Sequence, residues 1–429
     1  MTNVDTTPSI ERHDVDSARA TSSAVDRLAV RPAEPRERIT MLLENNDYPQ
    51  DPRVRREAES LVAAGHFVEV IAPREEGEPA RETINGVRVR RFRSVNPTRS
   101  GAAPIALEYG IASIALHVAA LRGLLRGSTV LHLHNPPDIL FAAGAMFRAA
   151  GREVIFDHHD LGPELSRVRF GPGLLERVAR WSERLTFAVA THVLAANESH
   201  AEIARDRGRM RRADVTVVRN GPPARWTRLP VRTRPGTLAP IRLAYLGAIA
   251  HQDGVDGLAE ILACLHRRHP EVEAVLTVIG DGDARQDFEA AVARCGVSES
   301  VTVTGWVDGA RVPELLQEAD VCLDPSPSTV LNERSTMIKV TEYLALGKPV
   351  VSYDLLETRR SAGDAAVFVA PGDAEAFADA IAQLAGDAEL RTDLAHRARE
   401  RARDLTWERS EQALLAAYAG LRQSDDGRK

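Results

Sequence analysis

Arg334, Lys339 and Glu342 bring two cations and a carboxylate to one short run, Asn332-Glu-Arg-Ser-Thr-Met-Ile-Lys-Val-Thr-Glu-Tyr-Leu-Ala-Leu-Gly-Lys-Pro-Val-Val351. The run reads as loop, helix, buried strand. Ser335 is placed to cap a helix over Thr336 to Leu346, which lacks Gly and Pro, and Gly347-Lys348-Pro349 ends it before Val350 and Val351. A helix N-terminus offers free N–H groups and partial positive charge, so it can hold a phosphate. Arg334 sits at that end, with Ser335 and Thr336 beside it, and Lys339 and Glu342 lie three residues apart on one face. A site that grips a diphosphate and a sugar hydroxyl together needs these group types. The plainer alternative is a Lys339–Glu342 surface ion pair contributing about 0.5 kcal/mol.

Further candidates stand at strand ends. Phe156-Asp-His-His-Asp160 could suggest a metal, but adjacent strand residues point to opposite faces, so the four side chains do not converge. His132 and His134 share one face of Leu131-His-Leu-His134, and two ligands are too few for a metal. His134 and Asn135, at the strand tip, are expected to line a cleft. The polar loop Asn45 to Arg53, with Asn46 and Asp51, is expected on the acceptor side, although a simple turn explains it equally well. Asp281-Gly-Asp283 looks like a metal-binding pair, but a glycine turn is the better reading, and no metal site is expected.

The elements that must position these groups come in two series. From Ile39-Thr-Met-Leu-Leu43, short apolar runs alternate with helical patterns: a helix over Arg53–Ala64, strands at Phe67–Ile71, Ile84–Arg90, Val130–His134, Val154–Phe156, His192–Leu194 and Val215–Val218, and a long apolar helix over roughly 105–125. A second series runs from Ile241–Leu246 through strands at 274–279, 301–304, 321–323, 350–352 and 366–369. Such alternation means parallel sheets with right-handed crossovers. The expected division is a disordered tail over 1–37, a first Rossmann-like domain over 38–222, a Pro/Gly-rich linker over 223–240, and a second Rossmann-like domain over 241–405. A helix over 406–422 and a short tail over 423–429 follow. Strand C-termini of both halves would face a shared cleft.

Composition sets limits. At 429 residues, 44% hydrophobic and 27% charged, the chain has the make-up of an ordinary globular protein, and its net charge of −6 argues against nucleic-acid binding. Cys264, Cys295 and Cys322 form no close pair and are expected to be buried thiols, consistent with a cytoplasmic protein. No run reaches the length of a transmembrane helix. Arg167 to Arg184 mixes arginines with Leu174, Leu175, Val178 and Trp181; a solvated charged face with a core stripe is preferred there, with peripheral contact to anionic lipid at the inner face of a membrane as the alternative.

The block from Asn332 to Val351 resembles the donor-site loop and helix of retaining, GT-B-fold glycosyltransferases of family GT4, and weaker resemblance extends over about 38–422. Glu342 matches the second Glu of the family's paired-glutamate pattern; the first falls on Arg334. The resemblance implies the GT-B fold, two doubly wound Rossmann-like domains facing a cleft, and a helix at the end of the chain that crosses back to the first. It implies a sugar moved from a nucleotide-diphosphate sugar, UDP- or GDP-linked, to a hydroxyl acceptor such as a glycan or lipid-linked glycan, with no cofactor or metal. His159 with Asp160 matches the family's His-Asp pair, whose His contacts the donor sugar. Gly247, Gly280 and Gly282 match glycine turns that let the chain approach the nucleotide, Trp306 and Val307 would hold the base by backbone groups, and Glu342 the ribose. The family's usual Arg and Lys after the first strand of the second domain are Ala248 and Asp253 here. Arg334, Lys339, the helix N-terminus at Ser335 and loop amides are expected to supply the charge instead. The alternatives are a non-catalytic GT-B partner protein and a GT-B nucleotide-sugar epimerase.

Overall fold

The computed structural model describes residues 36–93, 102–136 and 138–426. The tail expected over 1–37 lies outside them as far as residue 35.

The first series forms one eight-stranded sheet: β1 (Arg38–Leu42), β2 (Phe67–Arg74), β3 (Arg81–Ile84), β4 (Val87–Arg93), β5 (Val130–His134), β6 (Glu153–His158), β7 (His192–Ala195) and β8 (Val215–Val217), in the order β3-β4-β2-β1-β5-β6-β7-β8. All pairs are parallel except β3 with β4. The stretch 84–90, expected as a strand running from a turn, is that, and the turn joins β4 to an antiparallel partner, β3, that the sequence reading did not include. Asn85 (φ 50°) and Gly86 (φ 84°) form a two-residue turn with both residues left-handed, the geometry that suits the twist of a tight hairpin.

Crossover direction sorts the helices. The chain moves one way across the sheet from β4 to β8, through α1's successors: after α1 (Pro52–Ala63) come α2 (Ala102–Leu125), α3 (Phe141–Ala149), α4 (Gly162–Phe170), α5 (Leu174–Val189) and α6 (Glu198–Asp206). Right-handed crossovers therefore put α2 to α6 on one face, whereas α1, which carries the chain back from β1 to β2, lies on the other. Leu116, Phe147, Phe156 and Phe187 fill the core on the first face, and Ile39, Val54, Ala58 and Leu61 on the second.

The second series forms a six-stranded parallel sheet: β9 (Ile241–Leu246), β10 (Ala274–Ile279), β11 (Val301–Val303), β12 (Val321–Asp324), β13 (Val350–Tyr353) and β14 (Ala366–Val369), ordered β11-β10-β9-β12-β13-β14. Its helices are α7 (Gly257–Arg268), α8 (Arg285–Arg294), α9 (Val312–Glu318), α10 (Ile338–Ala345), α11 (Leu356–Ala362), α12 (Ala374–Gly386) and α13 (Ala388–Ala402).

The last helix, α14, runs from Trp407 to Asp426, past the expected stop near Leu421. It packs on α1, and Trp407, Leu414 and Tyr418 belong to the same core as Ile39 and Val54. The chain thus returns to its first half. Where it does so, Trp407 N–H donates to the Pro222 carbonyl at 2.9 Å, and a Cβ on Gly221 would lie 1.9 Å from the Leu405 carbonyl oxygen, so only glycine fits. Among the described residues Cys264, Cys295 and Cys322 are unpaired; Cys264 and Cys322 are buried as expected, while Cys295 is half-buried.

Candidate functional site

The donor-type segment differs from its sequence reading at the N-terminal end. Helix α10 begins at Ile338, not Thr336, and its N-cap Met337 makes no side-chain cap. Asn332–Arg334 is a short 3-10 turn, and the Ser335 hydroxyl donates back to the Leu331 carbonyl at 2.9 Å. Ser335 is therefore a turn residue rather than a helix cap. Arg334, four residues before the helix, lines a cavity of about 670 Å³ between the two halves with Glu164, Arg167, Glu333 and Leu356.

Lys339 lies in the first turn of α10 and is buried. Its Nζ is 3.1 Å from Asp253 Oδ1, 3.8 Å from Asp324 Oδ1 and 4.9 Å from the centre of the Tyr245 ring. Burial works against the charged form, but Asp324, Tyr245 and Asp253 outweigh it, so the ammonium is held charged well above the usual lysine range. Gly247 leaves room for this arrangement. At its φ of 147° a Cβ would lie 3.1 Å from the Tyr245 hydroxyl and 3.2 Å from Lys339 Cε. The simple Lys339–Glu342 surface pair is thus ruled out: the ammonium is buried and turned to Asp253 and Asp324. Glu342 is half-buried, and burial raises its carboxyl to about 7 against the pull of Arg56 and Lys339.

Gly280 and Gly282 serve packing between loops. A Cβ on Gly280 would lie 1.9 Å from the Gly247 carbonyl oxygen, and one on Gly282 would lie 2.4 Å from that of Ile249. The two glycines let the loops after β9 and β10 lie against each other, which already accounts for them without a nucleotide. Trp306 is 79% exposed, and Val307 packs at the edge of a core.

In the first half the polar groups are drawn inward around Arg53. Its guanidinium donates to both oxygens of Asp157 (2.7 and 2.6 Å), to the Val218 carbonyl at 2.8 Å and to Asn220 Oδ1 at 3.1 Å, and lies 3.2 Å from Glu57. Asp157 also bonds His134 Nδ1 at 2.9 Å and His159 Nδ1 at 3.1 Å. Burial opposes charge on His159, but Asp157 beside it more than offsets this and brings its pKa up to about 9. The shift favours the imidazolium form, with Nδ1 turned to Asp157. Glu57, His132, His134 and Asp157 offer ligand atoms within 4.8 Å of one another, a set that could suit a metal. Arg53 already supplies positive charge to Asp157 and Glu57, while His132 Nε2 and His134 Nε2 are buried without a hydrogen-bond partner among the described residues.

Several expected acceptor-side residues have other work. His134 is buried and tied to Asp157 rather than lining the cleft. Asn135 is buried; its Oδ1 accepts from the backbone N–H of His159 and Asp160, and its Nδ2 donates to the Asp160 carbonyl. It shapes the turn that presents His159. Asp51 caps α1, accepting from the N–H of Arg53 and Val54. Asn46 accepts from its neighbour Asp47, and it and Asp160 are exposed.

Sequence reasoning missed the contacts that join the halves. Asn197, the N-cap of α6, donates through Nδ2 to the Arg334 carbonyl (2.8 Å) and the Thr336 hydroxyl (3.0 Å). Glu357 of α11, buried, accepts from the Ser199 N–H (2.9 Å) and hydroxyl (2.7 Å). The loop before Lys339 is therefore held from the opposite half. These pairs lie well over a hundred residues apart, so no local pattern signals them. A second cavity of about 690 Å³ lies between α4, through Leu165, Val168 and Arg169, and the second-half loops at Ala250 to Gln252 and Thr329 to Asn332.

Comparison with known proteins agrees with this layout. The family model described as Glycosyl transferase 4-like domain matches residues 50–221, and that described as Glycosyl transferases group 1 matches residues 240–387. The lipopolysaccharide core biosynthesis glycosyltransferase LpsE of Rhizobium meliloti (strain 1021) is 33% identical over 190 residues, 43% of this chain and 49% of that protein. The chain spans about half or less of the length of the curated relatives it matches. Sucrose-phosphate synthase from Thermosynechococcus elongatus superimposes with a TM-score of 0.72 at 18% identity, covering 91% of this chain and 100% of that one. Anabaena Alr3699/HepE in complex with UDP-glucose gives 0.64 at 15% identity, covering 90% and 100%. At those identities the likeness is one of fold.

Proposed function

We propose that this chain, a member of the GT-B-fold glycosyltransferases, moves a sugar from a nucleoside-diphosphate donor to a hydroxyl acceptor with retention of anomeric configuration. The observation that carries the reading is Lys339, a buried, charged ammonium beneath the glycine-lined loops of the second half. Departure of a nucleoside diphosphate builds negative charge, and one well-placed donor there contributes on the order of 3 kcal/mol. In this reading the diphosphate takes Lys339 over from Asp253, so no metal is required, and Arg334 adds charge from the neighbouring turn. Glu342 accepts the ribose hydroxyls. His159 donates to the donor sugar from the first half. The acceptor hydroxyl attacks on the face the leaving group departs from, and an oxygen of the β-phosphate takes its proton. No carboxylate is assigned as a nucleophile.

The family placement we favour is GT4, from Glu342 and the Gly347-Lys348-Pro349-Val350-Val351 run. UDP is the preferred donor base, in line with the UDP-glucose complex of the fold neighbour. The acceptor is read as a glycan or lipid-linked glycan, met in the cytoplasm or at the inner face of a membrane.

One observation favours a second reading. Asp253 stands where the family carries a cation and neutralises Lys339, as would suit a non-catalytic partner protein. Thermal melts of the purified protein with UDP, GDP, ADP and dTDP, each with and without Mg²⁺, separate the two. A shift with one nucleotide that is unchanged by Mg²⁺ is expected. No shift with any of them moves the conclusion to the partner protein.

A further inference from the structure

We propose that the outer face of α2, α3, α4 and α5 docks on an anionic lipid bilayer. The inference does not depend on sugar transfer, and it starts from which residues these helices expose. Among the described residues, every fully exposed position on the four helices is Gly, Ala, a larger apolar residue or Arg. No acidic side chain is exposed there, in a chain whose net charge is −6.

Helix α2 is the clearest case. Ala112, Leu116 and Ala120 face the core, yet Ile111, Ile114, Val118, Leu121 and Leu125 form a second stripe, at helical spacing, on the solvent side. Ile114 is 68% exposed and Leu125 78%. A helix apolar on both sides is normally buried on both sides. On α5, Leu174 is 70% exposed and Trp181 59%, with Trp181 packed edge-on to Phe141 of α3. Helices α2, α3, α5 and α4 touch in that order, so the apolar positions lie on one surface.

The charges on this surface have one sign. Glu176 is bonded to Arg180, and Glu164 and Glu183 are both held by Arg207. Arg122, Arg177 and Arg184 are exposed and have no carboxylate partner among the described residues. An apolar face ringed by unpaired arginines and carrying a tryptophan complements an anionic bilayer: apolar side chains enter the acyl boundary, arginines meet phosphates, and the indole sits between. The same one-signed charge makes the face a poor match for a second copy of itself. No helix among the described residues is long and apolar enough to cross a membrane, so contact of this kind is peripheral. Helix α4 also lines the cavity between the halves, so a docked bilayer would lie beside that opening.

The test is sedimentation of the full-length protein with vesicles of phosphatidylcholine alone or mixed with phosphatidylglycerol, with Trp181 fluorescence read in parallel against Trp181→Phe. The expected result is salt-sensitive binding to the phosphatidylglycerol vesicles only, with a blue shift that Trp181→Phe lacks. Arg177→Glu with Arg184→Glu should reduce partitioning about tenfold or more, and the two Lys variants should retain it. Ile114→Ser with Leu174→Ser should weaken it too, with an unchanged circular-dichroism spectrum and melting temperature confirming the fold. Absence of binding to phosphatidylglycerol vesicles, or equal binding by the Glu variants, overturns the proposal. So does self-association of the free protein that the same substitutions abolish.

Discussion

Removing the Lys339 ammonium does two things at once. It takes away the charge that, in the proposed reading, meets a leaving diphosphate, and it strips Asp253 and Asp324 of the cation between them. Lys339→Ala is expected to lower turnover by about 10² to 10³, as for loss of an oxyanion donor, and also to lower the melting temperature. Lys339→Ala with Asp253→Asn separates the effects: it should recover stability and leave turnover low. Recovery of both would remove Lys339 from the chemistry. His159 gives a pH-dependent expectation. Its pKa is about 9 in the folded protein against 6.5 as the ordinary value, so its pairing with Asp157 stabilises fully below pH 6.5 and is lost as pH rises to about 9. Urea unfolding across that interval should show falling stability, and His159→Gln should flatten the slope. At this scale the sequence could mark His159 and Lys339, because residue type and position in a short run suffice. It could not show Arg53, whose partner Asp157 is 104 positions away and adjacent only after the sheet has formed.

At the scale of elements, alternating apolar runs and helical stretches gave both sheets their strands except the polar edge strand β3, because a buried parallel strand needs an apolar run and the crossover needs a helix. One reading failed and one feature went unread, each for a physical reason. Ser335 has the right chemistry for a cap, but its hydroxyl satisfies the Leu331 carbonyl and the helix starts a turn later. The outward stripe of α2 was masked because apolar residues on both sides of a helix erase the period that would separate in from out. The loop before α10 is instead set by Asn197 across the cleft. Asn197→Ala is expected to raise the donor KM and lower kcat while leaving nucleotide-free stability within about 2 kcal/mol, the range for loss of an N-cap. Steady-state kinetics with an accompanying melt would check it; unchanged kinetics would mean that the loop holds its shape alone.

At the scale of the molecule, the two halves are joined by more than their linker. Ser199 with Glu357 and Arg360 with Glu202 both bridge the two halves. The larger dependence is that of the first half on α14. Burying a side chain such as Leu414 or Tyr418 contributes roughly 1.5–3 kcal/mol, and α14 adds several. A chain ending before Trp407 is expected to lose the cooperative melt of its first half, including the part that contains Arg53 and His159. A two-step melt in which that half still unfolds sharply would show its core to be self-sufficient. The terminal helix was legible from a single amphipathic stretch and its return from the family resemblance; the hydrogen bond between Tyr418 and His132 was not.

That return has a consequence for how the protein is made. Strand β8 ends at Val217 and α14 starts at Trp407, so at 5–20 residues per second the first half waits on the order of ten to forty seconds for its last helix. During that interval Ile39, Val54 and Leu61 lie beneath an uncovered groove on the ribosome-bound chain. The first half is thus synthesised first and completed last. Exchanging the second half for that of another protein would have to keep this chain's own α14 at the new C-terminus, or the unexchanged half would be the one to misfold.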